Sequence, residues 1–429
     1  MHPADRPAMV IVGAGHVGGR AALALREAGW QGPIALIGEE PYAPYERPPL
    51  SKGVLTGAQS AHDCRIGSPD IYAAQAIDTR LHSRVERIDR AARAVVLADG
   101  RRLAYARLLL ATGGQARALA VPGAQWCGVQ PLRTLDDAQR LRSRLRPGAR
   151  VVVIGGGFIG LEVAASARAL GCAVCVVESG PRLLGRAVPA ALAERVEALH
   201  RRHGVEIRLA ATPVALHAVP GTDVVGAVEL AGGERLPCDT VVVGIGIVPN
   251  VALAQAAGLA VDNGIVVDAT LRTADAAIYA AGDVCAFPAV LSGRPTRQET
   301  WRNAEDQAHT AAANMLGAGL RFEALPSFWS DQYDHTLQVC GEPAWAERTV
   351  SRALGAGATL EFHLHADGRL VGASGFGQGE SVARDLKLAR LLIEQGARPD
   401  PGRLADPACK LKALLSRAPQ PATELEAAP

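Results

Sequence analysis

The chain has 429 residues, of which 48% are hydrophobic and 21% charged, with a formal net charge of +2 at pH 7. This length is enough for two or three domains with their own cores, and the composition is that of an ordinary soluble globular protein. The near-neutral charge argues against general nucleic-acid binding. Because no apolar stretch resembles a signal core or a membrane span, we expect a cytoplasmic protein.

The first predicted strand, residues 9–12, leads into a G-x-G-x-x-G turn whose glycines are Gly13, Gly15 and Gly18. An Ala/Leu-rich helical stretch follows, which is the context that the motif needs. Such a turn places backbone without side chains beside a pyrophosphate and directs helix N–H groups at that anion. Glu39 caps the next strand, where its carboxylate can accept hydrogen bonds from a ribose diol. A glycine turn that serves packing alone is the alternative.

The same pattern recurs later in the chain. Residues 151–154 form an apolar strand and lead into Gly155, Gly157 and Gly160, and Glu178 caps the strand after the next helix. One such motif is a weak signal. Two complete sets predict a flavoprotein with two dinucleotide sites.

Further apolar strands end in glycine turns at residues 107–114, 240–244 and 277–284. Thr134 or Asp136 is the predicted N-cap of a short helix, and residues 301–316 and 381–395 predict two more helices. Residues 360–365 alternate between apolar and polar side chains and predict an antiparallel strand. We therefore predict an α/β fold with two Rossmann-like dinucleotide-binding domains and a C-terminal α+β domain. The predicted bounds are 1–114 and 245–321 for the first domain, 115–244 for the second, 322–415 for the C-terminal domain and 416–429 for a disordered tail.

The eight cysteines are scattered along the chain, and only Cys172 and Cys175 form a C-x-x-C pair. They fall on a predicted strand, where side chains alternate in direction, so we expect neither a redox disulfide nor a zinc site there. We expect no metal site elsewhere.

The motifs in this order resemble those of the pyridine-nucleotide-dependent FAD ferredoxin reductases that serve bacterial oxygenases. This group includes the reductase components of Rieske-type ring-hydroxylating dioxygenases, with putidaredoxin and rubredoxin reductases as relatives. The most specific segments are R-P-P-L-S-K at 47–52 and W-S-D-Q at 329–332. Disulfide reductases of similar architecture resemble one another in carrying a cysteine pair near one of the glycine turns, and this sequence has none there.

The resemblance implies a glutathione-reductase-like arrangement with FAD at the first glycine set and NAD at the second. It further implies that NADH delivers a hydride to FAD, and that electrons then pass singly to a [2Fe-2S] ferredoxin that feeds an oxygenase. We expect an acidic ferredoxin, a monomer or homodimer, and neither nucleic acid nor a membrane as partner. The alternatives are an NADH oxidase or small-molecule reductase, and a binding flavoprotein that resembles apoptosis-inducing factor.

The resemblance also implies roles for individual residues. Lys52 approaches the flavin N5 edge and Glu162 approaches Lys52 and the nicotinamide, the alternatives being a solvated loop lysine and an exposed helix position. Asp283 grips a ribityl hydroxyl or merely caps a turn, whereas Trp301 and Trp329 pack against the flavin or belong to the core. The other candidate cofactor-binding positions are Val17, Arg47, Val85, Ala111, Thr112, Gly113, Arg133, Phe158, Ile159 and Gly282. The candidate basic docking residues for the ferredoxin are Arg294, Arg297, Arg302, Lys387 and Arg390.

Overall fold

The computed structural model describes residues 8–68, 70–185, 188–355 and 357–415. The predicted disordered tail, 416–429, lies outside these residues. The chain divides into two compact units, the first ending at Tyr333 and the second beginning at Asp334. The division into three domains and a tail that the sequence suggests stays a prediction.

The first part of the first unit alternates strands and helices around the first glycine turn. In chain order its elements are β1 (Ala8–Val12), α1 (His16–Glu27), β2 (Ile34–Ile37), α2 (Gly53–Thr56), α3 (Ile71–Ala74), β3 (Ile77–Arg80), β4 (Val85–Asp89), β5 (Ala94–Leu97), β6 (Arg102–Leu110), β7 (Gly114–Ala116), β8 (Val129–Pro131) and α4 (Leu135–Arg144). Thr134 caps α4 by accepting a hydrogen bond from the Asp137 N–H group, which confirms the first of the two predicted caps.

The remainder of the unit contains the second glycine turn and returns to the first sheet. Its elements are β9 (Arg150–Ile154), α5 (Phe158–Ala169), β10 (Ala173–Val177), α6 (Ala190–Arg202), β11 (Glu206–Arg208), β12 (Pro213–Ala218), β13 (Val225–Leu230), β14 (Arg235–Pro237), β15 (Thr240–Val243), β16 (Ile247–Pro249), α7 (Ala252–Ala256), β17 (Ile265–Val266), β18 (Ile278–Ala280), β19 (Cys285–Pro288), β20 (Pro295–Thr296), α8 (Trp301–Met315) and β21 (Ser327–Gln332). The predicted helix at 301–316 is thus confirmed as α8.

Two sheets, each with parallel central strands, lead into the two glycine turns. In the first sheet β3, β2, β1, β6 and β18 pair in parallel, and β5 and β4 extend it in antiparallel fashion. The second sheet has the parallel order β11–β10–β9–β15–β8. In each sheet the strand that precedes the glycines lies between the next strand in the chain and a later one. The strand order therefore reverses at that point, which is where open α/β sheets bind their ligands.

The largest core forms around the first sheet because its central strands are apolar on both faces. Strand β1 is buried from Met9 to Val12, as expected for a parallel strand covered on both sides. Helices α1 and α8 pack against each other, and their alanine-rich faces belong to this core. Thr300 caps α8 by accepting from the Asn303 N–H group at 3.1 Å. The ring of Trp301, the first residue of α8, lies 5.4 Å from that of His16, the first residue of α1, so the two helices begin side by side.

The second unit is an antiparallel sheet with a helix, as the sequence predicts for an α+β domain. Its elements are β22 (His335–Gly341), β23 (Arg348–Gly355), β24 (Ala358–Leu364), β25 (Leu370–Gln378), α9 (Ala383–Glu394) and α10 (Pro401–Ala405). The strands pair in the order β22–β25–β24–β23, and α9 packs on β25. Every residue of β24 is buried, and its polar side chains have partners: Glu361 pairs with the Ser351 hydroxyl, His363 with the Ser374 hydroxyl, and Thr359 donates to the Arg352 carbonyl oxygen.

Helices capable of crossing a bilayer are absent from the described part of the chain. The same residues contain no cluster of three or more His, Cys, Asp and Glu side chains suited to a metal ion.

Candidate active site

The first glycine turn excludes side chains at two of its glycines and leaves space at the third. Gly13 has φ +111°, and a Cβ there would lie 2.2 Å from the carbonyl oxygen of Ala111. A Cβ at Gly18 would lie 1.8 Å from the Gly13 carbonyl oxygen, so only glycine lets the helix pack this closely. Gly15 faces open space apart from one Arg47 nitrogen at 3.9 Å. An anion can therefore approach the backbone at Gly15, as a dinucleotide pyrophosphate requires.

The second turn repeats this geometry with different residues. Gly155 has φ +110°, and a Cβ there would lie 2.4 Å from the Gly244 carbonyl oxygen. A Cβ at Gly160 would lie 2.1 Å from the Gly155 carbonyl oxygen, whereas one at Gly157 would meet nothing within 4 Å. The two turns thus fit two dinucleotides, and packing alone does not explain the open middle glycine in each.

The two carboxylates predicted to bind ribose lie in different environments. Glu178 accepts hydrogen bonds from the N–H groups of Gly156 and Gly180, both at 2.7 Å, and is therefore folded onto the second glycine turn. Glu39 is 71% exposed, and the Arg84 guanidinium lies 3.6 Å away. Only Glu178 is already held in position by the protein.

Asp283 lies in a short 3-10 turn after β18, and Arg133 pairs with it at 2.8 Å. Arg133 also donates to the Gly114 carbonyl oxygen at 3.0 Å, which holds its guanidinium beside the end of β6. Gly282 has φ +81°, and the Val17 side chain fills the space where its Cβ would be. The structure thus brings together four predicted cofactor positions at the carboxyl end of the first sheet.

Five other predicted positions also lie in the first unit. Thr112 and Asn250 exchange hydrogen bonds of 2.9 Å, which fixes the turn that includes Ala111 and Gly113. Arg47 donates to the Glu40 carboxylate at 3.0 Å and to the carbonyl oxygen of Arg133. Val85 begins β4 and packs against the edge of the large core, so its contact with a cofactor stays a prediction.

Two of the aromatic candidates, Trp301 and Trp329, line a cleft of about 310 Å³. Trp301 is the first residue of α8, and its ring meets that of Trp329 edge to face at 5.6 Å. Trp329 is 40% exposed, so it is not a core aromatic. On α5, Phe158 packs edge to face on Phe328 at 5.0 Å, whereas Ile159 is 45% exposed. The lining residues of the cleft are Glu46, Pro48, Pro49, Lys52, Gln59, Trp301, Trp329 and Asp331.

Lys52 and Glu162 form an ion pair, with 2.9 Å between Nζ and Oε2. Glu162 is 4% exposed, so the alternative of an exposed helix position is wrong. The Pro48–Ser51 turn carries Lys52, and its Leu50 side chain is buried, which anchors the loop. Because Glu162 is buried, leaving its charge without the Lys52 partner would be costly.

Sequence reasoning missed the residues that surround this carboxylate. Ser51 and Ser330 donate to Glu162 at 2.5 and 2.6 Å, and Gln332 bridges from Ser330 to the buried His200. Ser51, Ser330 and Gln332 lie within the two most specific sequence segments, which could have identified them. Nothing in the sequence distinguishes His200 from an ordinary helical histidine.

One predicted docking residue is not available to a partner. The Arg297 side chain is only 10% exposed, because it pairs with Glu299 at 2.7 Å and donates to the Asp283 carbonyl oxygen. The prediction that Arg297 lies on an exposed basic face is therefore wrong. Arg302 is 43% exposed and pairs with Asp306.

All eight cysteines are free thiols. Cys172 and Cys175 form no disulfide, and burial raises the pKa of Cys175 to about 12. Burial has the same effect on Cys285, so these side chains stay protonated and are poor nucleophiles.

Comparison with known proteins identifies the family. Residues 7–308 match the family model of pyridine nucleotide-disulphide oxidoreductases, and residues 327–415 match a reductase C-terminal model. The chain belongs to the pyridine nucleotide-disulphide oxidoreductase family. Enzymes of this family use FAD and NAD(H), which confirms both predicted cofactors.

Individual relatives match over nearly the whole chain. The ferredoxin–NAD(+) reductase component of the anthranilate 1,2-dioxygenase system of Burkholderia cepacia is 47% identical over 95% of this chain and 98% of that protein. A ferredoxin reductase from Rhodopseudomonas palustris has a TM-score of 0.91 at 38% identity, covering 96% of this chain and all of the other. The reductase in a covalent putidaredoxin reductase–putidaredoxin complex gives the same TM-score and identity, covering 96% and 98% of the two chains. These similarities confirm the predicted resemblance and fold class.

Replacing Asp283 with Ala should weaken FAD binding by roughly tenfold or more, because a charge-assisted contact is lost and Arg133 loses its partner. Fluorescence titration of the apoprotein with FAD measures the dissociation constant. Asp283→Asn, which keeps a hydrogen-bonding oxygen, is the matched control and should retain more FAD. Equal FAD occupancy of the Ala variant and the parent after dialysis would show that Asp283 does not contact the cofactor.

Lys52→Met and Glu162→Gln should each slow flavin reduction by NADH in stopped flow, on the order of tenfold or more. The double variant should lose less than the product of the two effects, because each single change leaves the other group unpaired. Strictly multiplicative losses would mean that the two side chains act independently.

Proposed function

We propose that this chain is an NADH-dependent ferredoxin reductase that supplies electrons to an oxygenase, and that the oxygenase is a ring-hydroxylating dioxygenase. Family membership and near full-length similarity to the reductase component of the anthranilate 1,2-dioxygenase system support the reaction class. The ferredoxin partner is supported by the covalent complex of a 38% identical reductase with putidaredoxin.

The observation that carries the proposal is the lining of the cleft at Lys52. It contains two tryptophans and a lysine, and none of its lining residues is a cysteine. A disulfide reductase needs a thiol pair beside its flavin, whereas an electron-transfer reductase needs only a short path to its surface. The exposed Trp329 offers such a path, which favours a protein acceptor over a thiol acceptor.

The chain's own residues bind and orient the two dinucleotides. The open glycine backbone at Gly15 would accept the FAD pyrophosphate and that at Gly157 the NADH pyrophosphate, while Glu178 would accept hydrogen bonds from the adenosine ribose. Bound FAD would supply the redox chemistry, which is acceptance of a hydride from NADH and release of its two electrons one at a time. Lys52 places a positive charge in the cleft, where it would balance negative charge gained on reduction.

NADH should be preferred over NADPH, because a 2′-phosphate would meet the Glu178 carboxylate. Arg182 does not offset this repulsion, since it donates to the carbonyl oxygens of Val188 and Gly185 at 2.8 and 2.7 Å. The ratio of kcat/KM for the two donors is the measurement. Glu178→Ala should bring the two kcat/KM values closer together, mainly by lowering kcat/KM for NADH. Equal values for the parent enzyme would overturn the assignment of Glu178.

An acidic [2Fe-2S] ferredoxin should be reduced more slowly as salt rises, whereas reduction of a neutral dye should barely change. Arg302→Glu should slow only the ferredoxin reaction, because Arg302 follows Trp301 directly on α8 and is part-exposed. Arg272→Glu is the matched control, since Arg272 also pairs with an aspartate four residues away and does not line the cleft.

The same assay separates the other functions. A ferredoxin rate that is independent of salt would rule out electrostatic docking. Rapid NADH oxidation by oxygen without ferredoxin would instead favour an NADH oxidase. Negligible turnover with ferredoxin and with oxygen, together with nucleic-acid binding in a gel-shift titration at physiological salt, would favour a binding flavoprotein.

A further inference from the structure

A chain of buried hydrogen bonds extends from Glu162 away from Lys52. The Oε2 atom of Glu162 belongs to the ion pair, whereas its Oε1 atom accepts from the Ser330 hydroxyl at 2.6 Å. Ser330 Oγ lies 3.2 Å from Gln332 Nε2, and Gln332 Oε1 lies 2.7 Å from His200 Nε2. The chain joins α5, β21 and α6, all within the first unit.

The direction of every hydrogen bond in this chain follows from the carboxylate. A carboxylate only accepts, so Ser330 donates to Glu162 and its oxygen is left to accept from the Gln332 amide. The Gln332 carbonyl oxygen then faces His200, which has to donate through Nε2. His200 is consequently the Nε2–H tautomer, with Nδ1 free to accept from the Tyr333 hydroxyl at 3.4 Å.

Burial keeps this direction from reversing. Ser330, Gln332 and His200 are 1%, 2% and 0% exposed. Burial lowers the pKa of His200 to about 4, so the ring is neutral near pH 7 and adds no charge to the chain. The His203 ring stacks on the Tyr333 ring, with 3.7 Å between the ring centroids.

We propose that Gln332 and His200 are positioning residues, which fix the direction of the Ser330 hydroxyl and thereby hold the Glu162 carboxylate against Lys52. The Ser330 hydroxyl donates to Glu162, and a donor to its oxygen holds it from the other side, so that it stays aimed at the carboxylate. Gln332 supplies that donor, and His200 prevents the Gln332 amide from turning over. The second dinucleotide-binding domain therefore acts through α6 on the charge pair at the cleft.

The tautomer can be tested without any turnover. Protein labelled with ¹⁵N-histidine should show the His200 ring as a neutral Nε2–H tautomer between about pH 6 and 8, assigned by comparison with His200→Gln. A neutral Nδ1–H tautomer or an imidazolium signal in this range would overturn the proposal. Gln332→Glu should change the His200 signal to imidazolium, because the new carboxylate offers it an ion pair.

The kinetic consequence rests on the proposed function and uses the holoenzyme. His200→Phe, which cannot donate, should slow flavin reduction by NADH roughly tenfold without changing the NADH dissociation constant. His200→Gln places an amide donor at the same reach and should restore the rate to within about twofold. Arg202→Ala is the control on the same helix, because Arg202 is exposed and lies outside this chain of hydrogen bonds, and it should leave the rate unchanged. If the His200→Phe protein does not fold, Gln332→Glu serves as the test variant, because its carboxylate cannot donate to Ser330 as the Gln332 amide does.

A structural role and a positioning role differ in one further measurement. Because His200 acts through Glu162, His200→Phe should cause no additional slowing in a Glu162→Gln background. An equal slowing in both backgrounds, or no slowing in the parent, would overturn the positioning role. If Glu162→Gln alone leaves the rate unchanged, the proposed function of the ion pair fails, and the tautomer measurement still decides the direction of the chain.

Discussion

The structure around the cleft depends on one buried charge, the Glu162 carboxylate. An ionised carboxylate shielded from water is costly unless donors replace its hydration. Here the donors come from the loop at Ser51 and Lys52 and from Ser330 on β21. Removing one partner of such a pair typically costs about 3–5 kcal/mol. The carboxylate therefore fixes the position of segments that are far apart in sequence.

Both glycine turns have the same geometry, but they differ in the residues beyond the glycines. The excluded Cβ positions at Gly18 and Gly160 show that helix and strand approach in the same way in each. The carboxylate after the second turn is held by backbone N–H groups, whereas Glu39 after the first is exposed. A preorganised acceptor suits a substrate that has to bind and leave many times, because less ordering is needed on each occasion.

The proposed route by which electrons leave depends on the side chains that surround the cleft. Aromatic rings and a lysine line it, and the buried cysteines elsewhere have raised pKa values. A protonated, enclosed thiol is a poor nucleophile, so thiol exchange is disfavoured even though the fold is shared with disulfide reductases. Function is thus decided by the site and not by the architecture.

The sequence by itself determined the two Rossmann-like folds, the glycine turns and the loop that carries Lys52. These features depend on local patterns of apolar residues, glycine and proline. Resemblance added the pairing of Lys52 with Glu162. The tertiary structure alone decided that Glu162 is buried, that Arg297 is covered, and that Ser330, Gln332 and His200 form a directed chain. These features join residues separated by up to 168 positions, as between Glu162 and Ser330. Local periodicity carries no information on which distant side chains meet, since that depends on how the helices and strands pack.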